Sequence, residues 1–135
     1  MTGLVVCVAV LAAASVFGLM QRRRSGRMKV RQGEAALGAA KLGEELGERA
    51  TLVQFSSAFC APCRATRRVL GEVAEMVPGV AHVEIDAEDR LDLVRELGVL
   101  KTPTVFVLDA SGHIVRRASG QPRKADVIAA LGEAV

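Results

Sequence analysis

The stretch Gln54-Phe55-Ser56-Ser57-Ala58-Phe59-Cys60-Ala61-Pro62-Cys63-Arg64 constrains this chain more than any other. Residues 51–55 are apolar enough for a buried strand. They pass through a short polar turn into two cysteines separated by two residues. Pro62 suits the first turn of a helix, where its missing N–H would have had no acceptor, so the pair is predicted at a helix start. Side chains three positions apart share a helix face, which lets Cys60 and Cys63 meet and close a small disulfide. The unpaired N–H groups and positive dipole end favour a thiolate at Cys60. A free cysteine titrates near ~8.5, and such a setting lowers it. Arg64, Arg67 and Arg68 place positive charge close by. The segment predicts one activated nucleophile, Cys60, and one thiol, Cys63, to resolve it. The spacing alone is ambiguous, because zinc sites use it too.

The chain beyond this point supplies the rest of a mixed α/β layer structure. Residues 51–56 read as a central strand buried on both faces. Residues 62–77 read as a helix, with Val69, Leu70, Val73, Ala74 and Val77 at three- and four-residue spacing and Pro78-Gly79 as its stop. Residues 80–85 alternate as a strand, and 90–97 form a short helix ended by Gly98. Residues 104–108 and 114–118 make a hairpin about Asp109-Ala110-Ser111-Gly112, and 125–131 begin a last helix. Strand, helix, strand, helix, strand, strand, helix predicts a mixed sheet with helices on both sides. Residues 33–50 are less informative. Leu37, Leu42 and Leu46 are only partly in helical register, and Gly38, Gly43 and Gly47 weaken the pattern.

Cys60-Ala61-Pro62-Cys63 behind an apolar strand, with Thr102-Pro103-Thr104-Val105 about forty residues downstream, resembles the thioredoxin superfamily. The resemblance covers residues 51–135, and more loosely the stretch from Met28, where residues 28–31 make a marginal first strand. It implies a thioredoxin-like fold and a thiol–disulfide oxidoreductase in which Cys60 attacks and Cys63 resolves. It also implies a cis peptide before Pro103, opposite the cysteines, turning the backbone of Thr102 outward to pair with an extended substrate segment. Phe59, Ala61, Pro62 and Gln54 take supporting places around the pair. Partners would be protein disulfides or dithiols. No nucleotide, flavin or haem motif is visible and no cofactor is expected, so electrons would arrive from another protein.

This sequence departs from the family's pattern at several of those places. Gln54 stands where thioredoxins hold a buried aspartate, and an amide cannot take a proton from the resolving thiol as a carboxylate can. Phe59 replaces a tryptophan and Ala61 a glycine. His82 appears where a lysine often lies near the buried acid, and reads as a surface or structural histidine rather than a proton shuttle. His113, in the hairpin turn, reads as solvated. Two other functions stay open on sequence alone. One is a redox-inert adaptor that uses the groove for docking. The other is a metal module on Cys60 and Cys63, which lacks a second Cys/His pair at ligand spacing and would need a partner's ligands.

Charge and hydropathy set the remaining expectations. Half the residues are hydrophobic, yet the chain has no Trp or Tyr and only four Phe, so the core must be mainly aliphatic. The formal charge is +3, but six of the 18 basic residues (Arg22, Arg23, Arg24, Arg27, Lys29, Arg31) form one block, leaving 12 against 15 acidic residues beyond it. That distribution argues for a basic tail and against a nucleic-acid interface. Before the block, residues 4–20 are apolar or small without a charge. Seventeen residues at ~1.5 Å each extend about 26 Å, near the short end for a membrane span. A cleavable signal would want a positive start and a small-residue cleavage site. A core helix would want a polar face. The expectation is one transmembrane helix at residues 4–20, with Cys7 a small apolar filler in it. A basic juxtamembrane linker at 21–33 and a thioredoxin-like domain at 34–135 would follow. Positive flanks stay on the cytoplasmic side, so the domain is expected in the cytoplasm.

Overall fold

Seven consecutive buried residues, Ala50–Ser56, form β2, and the sheet is laid out around them. A strand sends alternate side chains to opposite faces, and here both faces are covered. Leu52 joins a cluster with Leu70 and Val73 of α3 (Ala61–Met76) and Val127, Ala130 and Leu131 of α5 (Lys124–Ala134). Val53 and Phe55 join the other cluster, with Leu93 and Leu97 of α4 (Leu91–Leu97). Each fully buried Leu, Val or Phe contributes about 1.5–3 kcal/mol relative to leaving it exposed. A strand buried on both faces is therefore heavily stabilised by its packing.

The computed structural model describes residues 1–24, 29–30 and 37–135. Its sheet has the order β1-β5-β4-β2-β3, with β1 at Lys29–Val30, β3 at Val80–Asp86, β4 at Thr104–Asp109 and β5 at Ile114–Ser119. β2 and β3 run parallel, joined through α3, and the remaining pairs are antiparallel. This is the expected mixed sheet flanked by helices, and the elements predicted beyond residue 50 appear with ends moved by up to three residues. In the β4–β5 turn the Asp109 carboxylate accepts from the N–H groups of Ser111 and His113, both at 2.9 Å, while Gly112 takes φ +88°. A Cβ at Gly112 would lie 2.5 Å from the Leu37 carbonyl oxygen, and the Leu37 N–H donates to the Gly112 carbonyl at 2.7 Å. Glycine at the turn thus lets residue 37 close over it. His113 is exposed, as expected.

Among its described residues, the weakly patterned stretch before β2 contains only α2 (Ala39–Leu42), bounded by Gly38 and by Gly43 at φ +76°. Leu37 and Leu42 are nevertheless buried in the α4-side cluster, and Leu46 packs against it. Of the marginal first strand, Met28 and Arg31 lie outside the described residues. So do 25–28 and 31–33 of the stretch read as a linker. Residues 29–30 pair with β5, Lys29 opposite Arg117 and Val30 opposite Arg116.

At the N-terminus, α1 runs from Thr2 to Arg24. Its first 22 residues, Thr2–Arg23, contain an 18-residue stretch of mean hydropathy 2.5, and none of them is buried against the rest of the molecule. At ~1.5 Å per residue they extend about 33 Å, enough to cross a hydrocarbon core of ~30 Å. Signal sequences share that length and composition.

Candidate active site

Cys60 is the N-cap of α3, in extended backbone geometry, and its Sγ accepts the Cys63 N–H at 3.2 Å. The two cysteines are bonded, with Sγ–Sγ 2.18 Å and Cα–Cα 5.2 Å. Pro62 occupies the first turn, and the Thr66 hydroxyl donates to the Pro62 carbonyl at 2.8 Å, which steadies it. Cys63 is only 1% exposed, whereas Cys60 is half-buried and Ala61 and Pro62 are open to solvent. The helix terminus thus presents one sulfur outward and holds the other beneath it. Phe59 adopts φ +60° and its ring stands fully in solvent. The left-handed region costs a non-glycine residue roughly 1–2 kcal/mol, so the fold keeps an apolar lip beside Cys60 at some expense of local stability.

Gln54 lies directly below. It is wholly buried, and its Nε2 donates to the Cys63 carbonyl at 2.8 Å and to Ser56 Oγ at 2.9 Å. With both amide hydrogens engaged, Oε1 is left as an acceptor. It lies 3.2 Å from His82 Nε2, which therefore carries the proton. The histidine expected as structural is bonded to the residue that replaces the family's acid. Burial holds the His82 imidazole below its ordinary range, the Glu84 carboxylate works against this, and Arg67 reinforces it. Arg67 itself is gripped by Glu84 through Nε at 2.5 Å and a terminal nitrogen at 2.7 Å. Arg64 and Arg68 are the other exposed cations of the first turns of α3.

The second arm of the site is the segment from α4 to β4. The Thr102–Pro103 peptide is cis, Pro103 is buried, and its carbonyl accepts the Gly120 N–H at 2.8 Å. Thr102 Oγ1 lies 3.9 Å from Cys60 Sγ and 2.8 Å from Ser57 Oγ. The fold therefore brings Cys60, Cys63, Gln54 and Thr102 together, with Phe59, Ala61 and Pro62 on the lip. Two participants escaped the sequence reading. Ser57 lay in the quoted stretch but had no visible partner, since Thr102 is 45 residues away. Arg117 lay within the predicted strand at 114–118 with no role assigned to it, and it is buried. Its guanidinium donates to the carbonyls of Leu97 at 2.5 Å and Gly98 at 2.6 Å and lies 5.1 Å from the centre of the Phe106 ring. It thus closes the end of α4, where Gly98 takes φ +64°, and from there the chain runs to Thr102. Among the described residues, no three His, Cys, Asp or Glu side chains form a metal-binding group.

A family model described as Thioredoxin matches residues 37–133. Thioredoxin of Ovis aries is 31% identical over 74 residues, covering 55% of this chain and 70% of the relative. Thioredoxin H-type of Fagopyrum esculentum is 32% identical over 69 residues, 51% of this chain and 59% of the relative. Thioredoxin domain-containing protein 2 of Homo sapiens is 34% identical over 61 residues, 45% of this chain, and the chain spans only 11% of that protein's length. Among solved structures, thioredoxin NaTrxh from Nicotiana alata superposes with a TM-score of 0.57 at 25% identity, over 64% of this chain and 74% of that one. A malaria-parasite thioredoxin-2 shares the fold at a TM-score of 0.61 and 15% identity, over 76% and 98%. With a match over most of its length and Cys60-Ala61-Pro62-Cys63 at the start of α3, the chain belongs to the thioredoxin family.

Proposed function

We propose that this protein is a thiol–disulfide oxidoreductase anchored in a membrane by α1, reducing protein disulfides on the cytoplasmic side. The observation that carries the reading is Cys60 at the N-cap of α3, half-exposed, with the Cys63 N–H on its sulfur and Cys63 buried one turn in. A thiolate there is favoured by the dipole and that N–H. The reduced Cys60 attacks one sulfur of a substrate disulfide, forming a mixed disulfide and expelling one substrate thiolate. Cys63, as thiolate, then attacks Cys60 Sγ, closing the bond seen here and releasing the second substrate thiolate. Two electrons pass to the substrate, and water protonates the thiolates. A dithiol protein returns the pair to its reduced form. Gln54 cannot take the Cys63 proton, so resolution passes it to water or another base. Thr102 lies where its backbone can pair with an extended substrate chain, and Phe59 gives that chain an apolar edge.

Anchoring rests on the length and apolarity of α1. The cytoplasmic assignment rests on the basic block that follows it, Arg22 to Arg24 with Arg27, Lys29 and Arg31. In a reducing compartment the pair would stand mainly as dithiols, which favours reduction of substrates over their oxidation.

Reduction of insulin by the detergent-solubilised full chain tests the activity. The wild type is expected to accelerate reduction by dithiothreitol, Cys60→Ser to abolish the effect, and Cys63→Ser to accumulate a mixed disulfide. A wild type no faster than Cys60→Ser would overturn the reading in favour of an adaptor. Orientation is tested separately with an impermeant maleimide on intact cells expressing a Cys7→Ala/Cys63→Ser variant. Cys60 is expected to stay unlabelled until the cells are permeabilised, and labelling before that would place the domain outside.

A further inference from the structure

We propose that Ser57 is a positioning residue of the redox centre: it orients the Thr102 hydroxyl toward Cys60 and so helps set how readily Cys60 ionises. This deepens the oxidoreductase reading and rests on it. Ser57 leaves the end of β2, while Thr102 arrives from α4, and their hydroxyl oxygens are 2.8 Å apart. Thr102 Oγ1 is also 3.9 Å from Cys60 Sγ. Neither hydroxyl has another hydrogen-bond partner among the described residues. Both side chains are half-buried.

Each hydroxyl carries one hydrogen, so the pair can be polarised in only two directions. In one, Thr102 donates to Ser57 and offers nothing to the sulfur. In the other, Ser57 donates to Thr102, and Thr102 donates to Cys60. A disulfide sulfur is a weak acceptor and selects neither. A thiolate is an anionic acceptor, and charge-assisted hydrogen bonds are the strong ones, so reduction selects the second direction. Hydrogen bonds in series polarise one another, which lets Ser57 act on a sulfur it does not touch. The Cys60 thiolate then has two donors on different elements, the Cys63 N–H and the Thr102 hydroxyl. Threonine is stiff at χ1, so its hydroxyl needs only rotation of the O–H bond to turn toward sulfur.

The test is the pH dependence of Cys60 alkylation in the reduced, detergent-solubilised full chain, read by mass spectrometry of the Cys60 peptide. Ser57→Ala and Thr102→Val are each expected to raise the alkylation midpoint by roughly half a pH unit, about a threefold loss of thiolate at pH values well below that midpoint. The double variant is expected to shift no further than Thr102→Val alone, because Ser57 acts through Thr102. Ser57→Thr, which keeps the hydroxyl, is expected to restore the wild-type midpoint. If Ser57→Ala lowers the melting temperature but leaves the midpoint in place, Ser57 is only a staple between loops and the proposal fails. Additive shifts in the double variant also overturn it. Cys60 ionises whether or not the protein turns over disulfides. A wild type inactive on insulin would therefore remove the oxidoreductase reading while leaving these midpoints to decide the role of Ser57.

Discussion

Near the site, Gln54 is a buried polar side chain on the α3 side of the sheet, and Arg117 is one on the α4 side. Both hold one arm of the site by bonding backbone carbonyls. Gln54 takes the Cys63 carbonyl in the first turn of α3, and Arg117 takes Leu97 and Gly98 at the last turn of α4. The means differ. Gln54 is neutral, and its donors and acceptor are matched by Cys63, Ser56 and His82. Arg117 brings a charge into an aromatic-lined layer, where Phe106 meets Phe55 edge-on with ring centres 5.7 Å apart. The charge is tolerable there because the negative end of α4 and the Phe106 ring face it. A neutral clamp sits under the sulfurs and a charged one sits away from them. The difference suits chemistry that varies the charge on Cys60: the residue beneath the pair adds no charge of its own, while the framework that brings Thr102 alongside is fastened more strongly.

The comparison breaks most easily at the charged end. Arg117→Met keeps much of the side-chain volume but leaves two carbonyls at the end of α4 without their donor. A loss of about 3 kcal/mol is expected in chemical denaturation, the scale on which buried charge networks fail. Arg117→Lys is expected to recover only part of it, since an ammonium cannot reproduce the planar fork. If Arg117→Met costs no more than Gln54→Leu, the two clamps are equivalent and the contrast is wrong.

Gln54→Asp probes the neutral end. The shorter side chain gives up the bond to the Cys63 carbonyl and buries a carboxylate, at a cost of roughly 2 kcal/mol. It also supplies a base close to Cys63, the proposed resolving residue. Release of a trapped mixed disulfide is expected to quicken on the order of tenfold, below the usual range for a well-placed base. Stopped-flow release from a Cys60-linked thiol chromophore measures it. An unchanged or slower release from a domain that stays folded would mean that resolution does not wait on that proton.

What the sequence made legible follows from range of interaction. The strand, turn and Cys60–Cys63 helix start are local patterns, and so is the hairpin whose turn Asp109 organises. Those elements appeared with small changes at their ends. The stretch before β2 was illegible because Leu37 and Leu42 are held by a core assembled from distant strands, not by helical periodicity. Ser57 and Thr102 meet only after the fold joins two loops. Arg117 was in part readable. Adjacent strand residues point to opposite faces, so in a sheet covered on both sides Arg116 and Arg117 cannot share one environment. Arg116 pairs with Glu133 of α5, and Arg117 turns to the α4 side.

The smallest expected effect concerns His82, which keeps the Gln54 amide in place. Burial lowers its pKa from the ordinary 6.5, with Glu84 opposing and Arg67 adding to the shift. A depressed folded-state pKa means that the unfolded chain takes up the proton first. The stability tied to neutral His82 is therefore fully present above pH 6.5 and is lost as the pH falls from there through the folded value. His82→Gln keeps an N–H for Gln54 Oε1 but cannot titrate. Its melting temperature is expected to gain on the wild type as the pH drops below that point, by on the order of a few degrees. Parallel curves would mean that His82 titrates alike in both states. A variant that loses ground in acid would mean that Glu84 outweighs burial, so that the folded site holds the imidazolium and the clamp beneath the cysteines is charged after all.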